Sequence, residues 1–177
     1  MRRGAPVAFA PTRHPYRLPR SVFRIMKGMT MSDVNLIAAD GGELLAIGPT
    51  RIRVLEDGSR TDNRIGAVTS LVPAGVSGPP QHRHIMHDET FLVTSGTLRF
   101  ILGDTHRDAE VGDYVVVPVG APHTFANVSD APVAFFSTFT PAYYVDYFRE
   151  LAQLSAQGRF TPEANLAVML RYATVPV

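Results

Sequence analysis

From Asn35 to Phe139 the chain is cut at short intervals by glycine, proline and aspartate, and the pieces between are brief extended runs. Leu44–Ile47, Arg51–Leu55, Arg64–Val72, Glu89–Thr94, Thr97–Leu102, Thr105–Ala109, Tyr114–Val117, His123–Ala126 and Val133–Phe139 all read as β-strands. Asp57-Gly58 and Ser95-Gly96 read as turns, the second making Thr97–Leu102 the hairpin partner of the run before it. So many short strands with regular turns restrict the chain to an all-β fold, an antiparallel jelly-roll barrel. The loop Pro73–Pro80, rich in glycine and proline, is expected at the barrel rim.

Within this pattern two segments carry chemistry. The first is His82-Arg83-His84, then Glu89 and Gly96; the second is Gly112, Pro118, Gly120, His123 and Asn127. A strand sends alternate side chains to one face, so His82 and His84 project together, about 6–7 Å apart at Cα. Glu89 heads the next run. Pro118 fixes φ and Gly120 permits a positive φ, so the turn aims His123 in a defined direction. Three imidazoles and a carboxylate suit one divalent transition ion: iron, manganese, cobalt, nickel, copper or zinc. Four protein ligands would leave positions open on such an ion, the arrangement of a catalytic site. By the same parity Phe91 falls on the face of Glu89, and Phe125 and Asn127 on that of His123. The two phenylalanines could line an apolar slot for a flat substrate or be plain barrel core. His87 reads as a solvent-facing loop residue, with a place behind the ligands or against a substrate as the alternatives; His106 and His14 read as exposed.

The paired segments resemble the two motifs of the cupin superfamily over about residues 44–139. The first motif's leading glycine fits imperfectly, Gly75 lying one residue too far upstream and Gly78 too close. The resemblance implies a single-barrel cupin, usually a homodimer, with His82, His84, Glu89 and His123 as metal ligands. Gly78-Pro79-Pro80, Phe91, Phe125 and Thr140-Pro141 look most like quercetinase-type dioxygenases. That narrower likeness implies that Glu89 is also the catalytic base, that Phe91 and Phe125 contact substrate, and that dioxygen opens a ring with release of carbon monoxide.

The two ends differ from the middle. The 177 residues suffice for one domain with a real core, and the absence of cysteine excludes disulfide and thiolate chemistry. Residues 1–28 hold seven basic side chains, four prolines and no acid, which leaves the remainder at a formal charge of −6. Residues 1–32 read as a basic disordered arm or an early start, Met29 and Met31 lying where this composition ends. A cytoplasmic location is expected, the arm being the one feature that would suit an organelle import receptor. Residues 33–140 read as the barrel and residues 141–177 as C-terminal helices. Thr140 would cap the first helix, with Val145, Phe148, Leu151 and Leu154 as its apolar stripe and Gly158 as its stop. Thr161-Pro162-Glu163 opens the second, through about Tyr172. The helices would cover the barrel or a dimer seam, or form a lid.

The expected function is a metal-dependent dioxygenase acting on a flavonol-like or other hydroxylated aromatic or enolic small molecule. A metal-dependent isomerase or lyase, or a small-molecule binder, are the alternatives. Basic residues are sparse near the site, which disfavours a sugar phosphate, and the C-terminal segment is too poor in arginine and lysine to read DNA. No run approaches a membrane span. Neither nucleic acid nor membrane is an expected partner.

Overall fold

The computed structural model describes residues 33–177; the basic arm and His14 lie outside them. Among the described residues, eleven strands and two α-helices follow in order: β1 Glu43–Ile47, β2 Thr50–Asp57, β3 Gly66–Val72, β4 His82–His84, β5 Asp88–Ser95, β6 Leu98–Leu102, β7 Thr105–Ala109, β8 Tyr114–Val117, β9 Thr124–Ala126, β10 Val133–Thr140, α1 Val145–Ala156, α2 Pro162–Arg171 and β11 Thr174–Pro176. One sheet has the order β1-β2-β3-β10-β5-β8, a second has β7-β6-β9, and β4 pairs with β11. Every pairing is antiparallel. The bridge His82–His123 joins the β4–β11 pair to the start of β9. The fold is the antiparallel jelly roll expected from the sequence.

Two hydrophobic cores hold it. In the first, Phe91 and Val93 of β5, Val72 of β3 and Phe135 of β10 meet Leu98 and Phe100 of β6 from the opposite sheet. Burying each such side chain contributes about 1.5–3 kcal/mol. In the second, Val145, Tyr147 and Leu151 of α1 and Val168 and Met169 of α2 pack on Ile52, Val54, Val68 and Phe139. The helices therefore close the part of the large sheet that the small sheet does not face.

Three expectations are corrected. β5 and β6 are not a hairpin, because β5 pairs with β10 and β8 while β6 pairs with β7 and β9. Ser95-Gly96 instead carries the chain from one sheet to the other; Gly96 has φ +75°, and a Cβ there would lie 2.9 Å from Val133. Thr140 does not cap α1. It ends β10, paired with Asp88, and a 3-10 turn, Ala142–Tyr144, precedes the helix. Nor is the C-terminal segment only helical, since it returns to the barrel as β11. The second helix begins as read: Thr161 Oγ1 accepts the Ala164 amide at 3.1 Å, with Pro162 in the first turn.

Candidate metal centre

The two histidine segments are neighbours because their backbones bond to each other. His82 N donates to His123 O at 3.0 Å, and His123 N donates to His82 O at 2.8 Å. The Pro118–Ala121 turn is held on both sides. Gly120 N donates to His84 O at 2.8 Å, and Val119 N donates to Asp88 Oδ1 at 2.9 Å. Gly120 has φ +85°, as its place in this turn requires. Alternation along β4 leaves His82 and His84 buried and Arg83 exposed.

The rings of His82, His84 and His123 form a triangle with centroid separations of 4.4–5.0 Å. One ligand atom from each lies within 4.8 Å of the others. Their outer nitrogens are already committed. His82 Nδ1 bonds Pro80 O at 2.8 Å and His123 Nδ1 bonds Ala121 O at 3.1 Å, so both rings donate there. His84 Nδ1 lies 2.9 Å from Thr174 Oγ1, whose own proton goes to Tyr172 O at 3.2 Å, so this ring also donates. Nε2 is then the nitrogen that each ring can offer to an ion, oriented by its neighbour as metal-binding imidazoles generally are. The donor set fits a divalent transition ion, and the three buried histidines could hold one.

Glu89 completes the cluster. Its Oε2 lies 2.9 Å from His84 Nε2 and 3.2 Å from His123 Nε2. Burial alone would raise its carboxyl, but the contacts of Oε2 with His123 and His84, which are hydrogen bonds where those rings carry a second proton at Nε2, outweigh burial and hold it well below the usual carboxylate range. Burial first, then the His123 and His84 charges, lower His82 to about 4, so it is neutral at physiological pH.

The centre opens on a cavity of about 350 Å³ between the two cores. Its walls include Phe91, Phe125, Phe135, Phe139 and, from the helical side, Tyr147 and Leu151. No lysine or arginine lines it, and Glu89 is its one carboxylate among the described residues. Burial pushes the Tyr144 and Tyr147 hydroxyls up, so these stay neutral. Phe91 is fully buried and Phe125 half-buried, and both face this space. The helices thus wall the cavity as well as covering the sheet.

Two placements differ from expectation. His87 is buried, not solvent-facing: its ring lies 3.9 Å from His84 and 4.2 Å from Tyr144, and Nδ1 reaches Tyr143 Oη at 2.9 Å. Burial foremost lowers it to about 3. Parity from Glu89, carried two residues back, would have placed it inward. Asn127 is buried but does not join the cavity lining. Its amide donates to Val72 O, Pro73 O and Ala131 O at 2.8–3.0 Å, which pins the rim loop to the barrel. Thr174 was not anticipated, and no local pattern marks it. Gly78, the misplaced glycine, is a close-approach position: a Cβ would lie 3.0 Å from the Phe125 ring.

Residues 68–139, which span β3 to β10 and hold all four acidic and imidazole groups of the centre, match the family described as Cupin domain. Over those residues the chain is similar to a single cupin domain. Several solved structures share its fold. A sugar phosphate isomerase from a cupin superfamily of Silicibacter pomeroyi DSS-3 superposes with TM-score 0.54 and 22% identity, covering 60% of this chain and 75% of that one. KdgF from Halomonas sp. gives 0.53 and 19%, covering 60% and 94%. An RmlC-like cupin from Shewanella frigidimarina NCIMB 400 gives 0.52 and 20%, covering 63% and 96%. An uncharacterized protein of Aquifex aeolicus (strain VF5) is 34% identical over 62 residues, 35% of this chain and only half the length of that relative. These likenesses establish the fold, and one fold of this kind hosts many reactions. No helix among the described residues is long and apolar enough to cross a membrane.

Proposed function

We propose that the protein is a metal-dependent oxidoreductase that uses dioxygen to cleave an uncharged, hydroxylated aromatic or enolic molecule of flavonol type. The supporting observation is the pairing of a three-histidine cluster, Glu89 lying against two of its rings, with a cavity lined mainly by apolar and aromatic side chains. A phosphate group would meet no cation on those walls, so a sugar phosphate of the kind named for the Silicibacter neighbour is disfavoured. A volume of about 350 Å³ is at the small end for drug-sized ligands and suits a compact, flat molecule.

In this reading His82, His84, His123 and Glu89 would hold the ion, which would supply Lewis-acid polarisation of a substrate oxygen and so ease loss of its proton. Glu89 receives that proton on a carboxylate oxygen. Phe91 and Phe125 hold the flat body of the substrate, and the aromatic walls keep water from the electron-rich anion. For a flavonol, the expected balance is one dioxygen consumed and one carbon monoxide released per ring opened.

The test is anaerobic reconstitution with iron, manganese, cobalt and nickel separately, followed by oxygen-uptake and carbon monoxide assays with a flavonol. Coupled uptake and release is the expected result. Turnover without oxygen would replace this reading by an isomerase or lyase, and tight binding without turnover by a binding protein.

A further inference from the structure

Several polar side chains line the cavity, Ser70, Ser77, Ser137 and Asn165 among them, and the hydroxyl of Ser137 is buried there without a partner among the described residues. Ser137, in the middle of β10, is 1% exposed and its Oγ has no hydrogen-bond partner among the described residues. It stands in the inward row Phe135, Ser137, Phe139, and all three line the cavity. A buried hydroxyl without a partner destabilises the fold, and alanine would occupy the same place without that cost. β10 pairs with β5 so that Phe139 faces Glu89 and Ser137 faces Phe91. Ser137 therefore lies two residues from the Glu89 rung, about 7 Å along the strand. A six-membered ring with oxygens at opposite ends fits within that distance.

We propose that Ser137 is a specificity residue that hydrogen-bonds a second oxygen of the substrate, remote from the oxygen bound at the histidine centre. The preferred substrate thus carries two oxygen functions on one flat apolar body, with Phe91 beside the ring between them. Asn165 of α2 also lines the cavity, its Oδ1 held by the Tyr147 hydroxyl at 2.9 Å. This proposal rests on the reading that the cavity binds substrate, and the test below separates the two.

Ser137→Ala removes the hydroxyl and nothing else, so its melting temperature should equal or exceed that of the parent, which also checks folding. Binding to the metal-loaded protein is measured by calorimetry or ligand-observed NMR with two matched pairs. One pair is unsubstituted flavonol and a flavonol with one further hydroxyl on the pendant ring; the other is phenol and hydroquinone. The parent should bind the member of each pair with the additional hydroxyl roughly five- to tenfold more tightly, about 1–1.4 kcal/mol, and Ser137→Ala should bind both members alike. An unchanged preference in the variant overturns the role of Ser137. Preference that depends on Ser137 for the phenols, with no flavonol binding, keeps that role and overturns the flavonol-like reading. Absence of binding to all four probes overturns both.

Discussion

Oxygen Oε2 of Glu89 lies within hydrogen-bonding distance of two imidazole nitrogens at once, the same Nε2 atoms that the committed Nδ1 atoms leave free for an ion. A carboxylate in that position can hold the cluster together and can also receive a proton from a substrate beside it. Glu89→Gln keeps the shape and an oxygen donor but removes the proton acceptor. Turnover should fall by about 10²–10⁴, with a smaller loss of ion affinity, as read from kcat and from metal content by elemental analysis. Unchanged turnover would remove Glu89 as the base. The residues of this cluster were legible because they obey local rules. His82 and His84 follow from strand parity, and His123 from a turn whose proline and glycine have definite backbone demands. Thr174 was illegible because it meets His84 across 90 residues, through a three-residue strand with no pattern of its own. His87 was missed for a different reason: it precedes the start of β5, so it was read as loop although it shares the parity of Glu89.

At the scale of elements, β11 contributes to the centre by fixing one imidazole. Thr174→Val keeps the volume and strand propensity but leaves His84 Nδ1 without its acceptor. Loss of such an orienting partner typically costs 10–100-fold in metal affinity. A chelator-competition titration should show that loss with little change in the far-UV spectrum, and parental affinity would show that Thr174 does not orient the ring. Helix α1 is fastened by Arg149, which reaches Glu43 of β1, Asp57 of β2 and Asp146 of its own first turn at 2.7–2.8 Å. The Arg149 guanidinium and the Ser59 hydrogen bonds hold the Asp57 carboxyl well below the usual carboxylate range. A carboxyl lowered in the folded state adds stability above its unfolded pKa, and that stability is lost as pH falls through the folded value. Asp57→Asn should therefore melt lower than the parent at pH 7, by at most about 1 kcal/mol for so exposed a pair. The gap should close as the pH drops below the carboxylate range, and a gap independent of pH would assign the effect to packing. Strand positions and the capped start of α2 were legible because apolar period and turn residues are local signals. The sheet to which a strand belongs is not local. Ser95-Gly96 looks the same whether it closes a hairpin or crosses between sheets, and only the partners of β5 and β6 decide.

Across the whole molecule, the candidate metal centre sits where two separately packed regions meet. Phe91 and Phe135 belong to the core between the sheets, and Phe139 and Tyr144 to the core beneath the helices. All four line the cavity onto which His82, Glu89 and His123 open. His82 and His123 are linked by backbone hydrogen bonds, whereas His84 is anchored through Thr174 on the last strand. An ion bound to all three would clamp the histidine strands and, through Thr174, the C-terminal strand. Binding to the native state alone stabilises by RT ln(1 + [L]/Kd), about 2.7 kcal/mol when the free ion is at 100 times Kd. For a chain of this length that corresponds to about 5–10 °C in melting temperature. Thermal melts of chelator-treated protein should rise by that amount when the preferred ion among iron, manganese, cobalt, nickel, copper and zinc is restored. Removing His123, whose ring faces both other imidazoles and Glu89, should abolish the rise: His123→Ala would melt at one temperature with or without the ion. Identical melts of the parent with every one of the six ions would mean that the cluster is a hydrogen-bonded polar core, with Glu89 balancing the imidazoles in place of a metal.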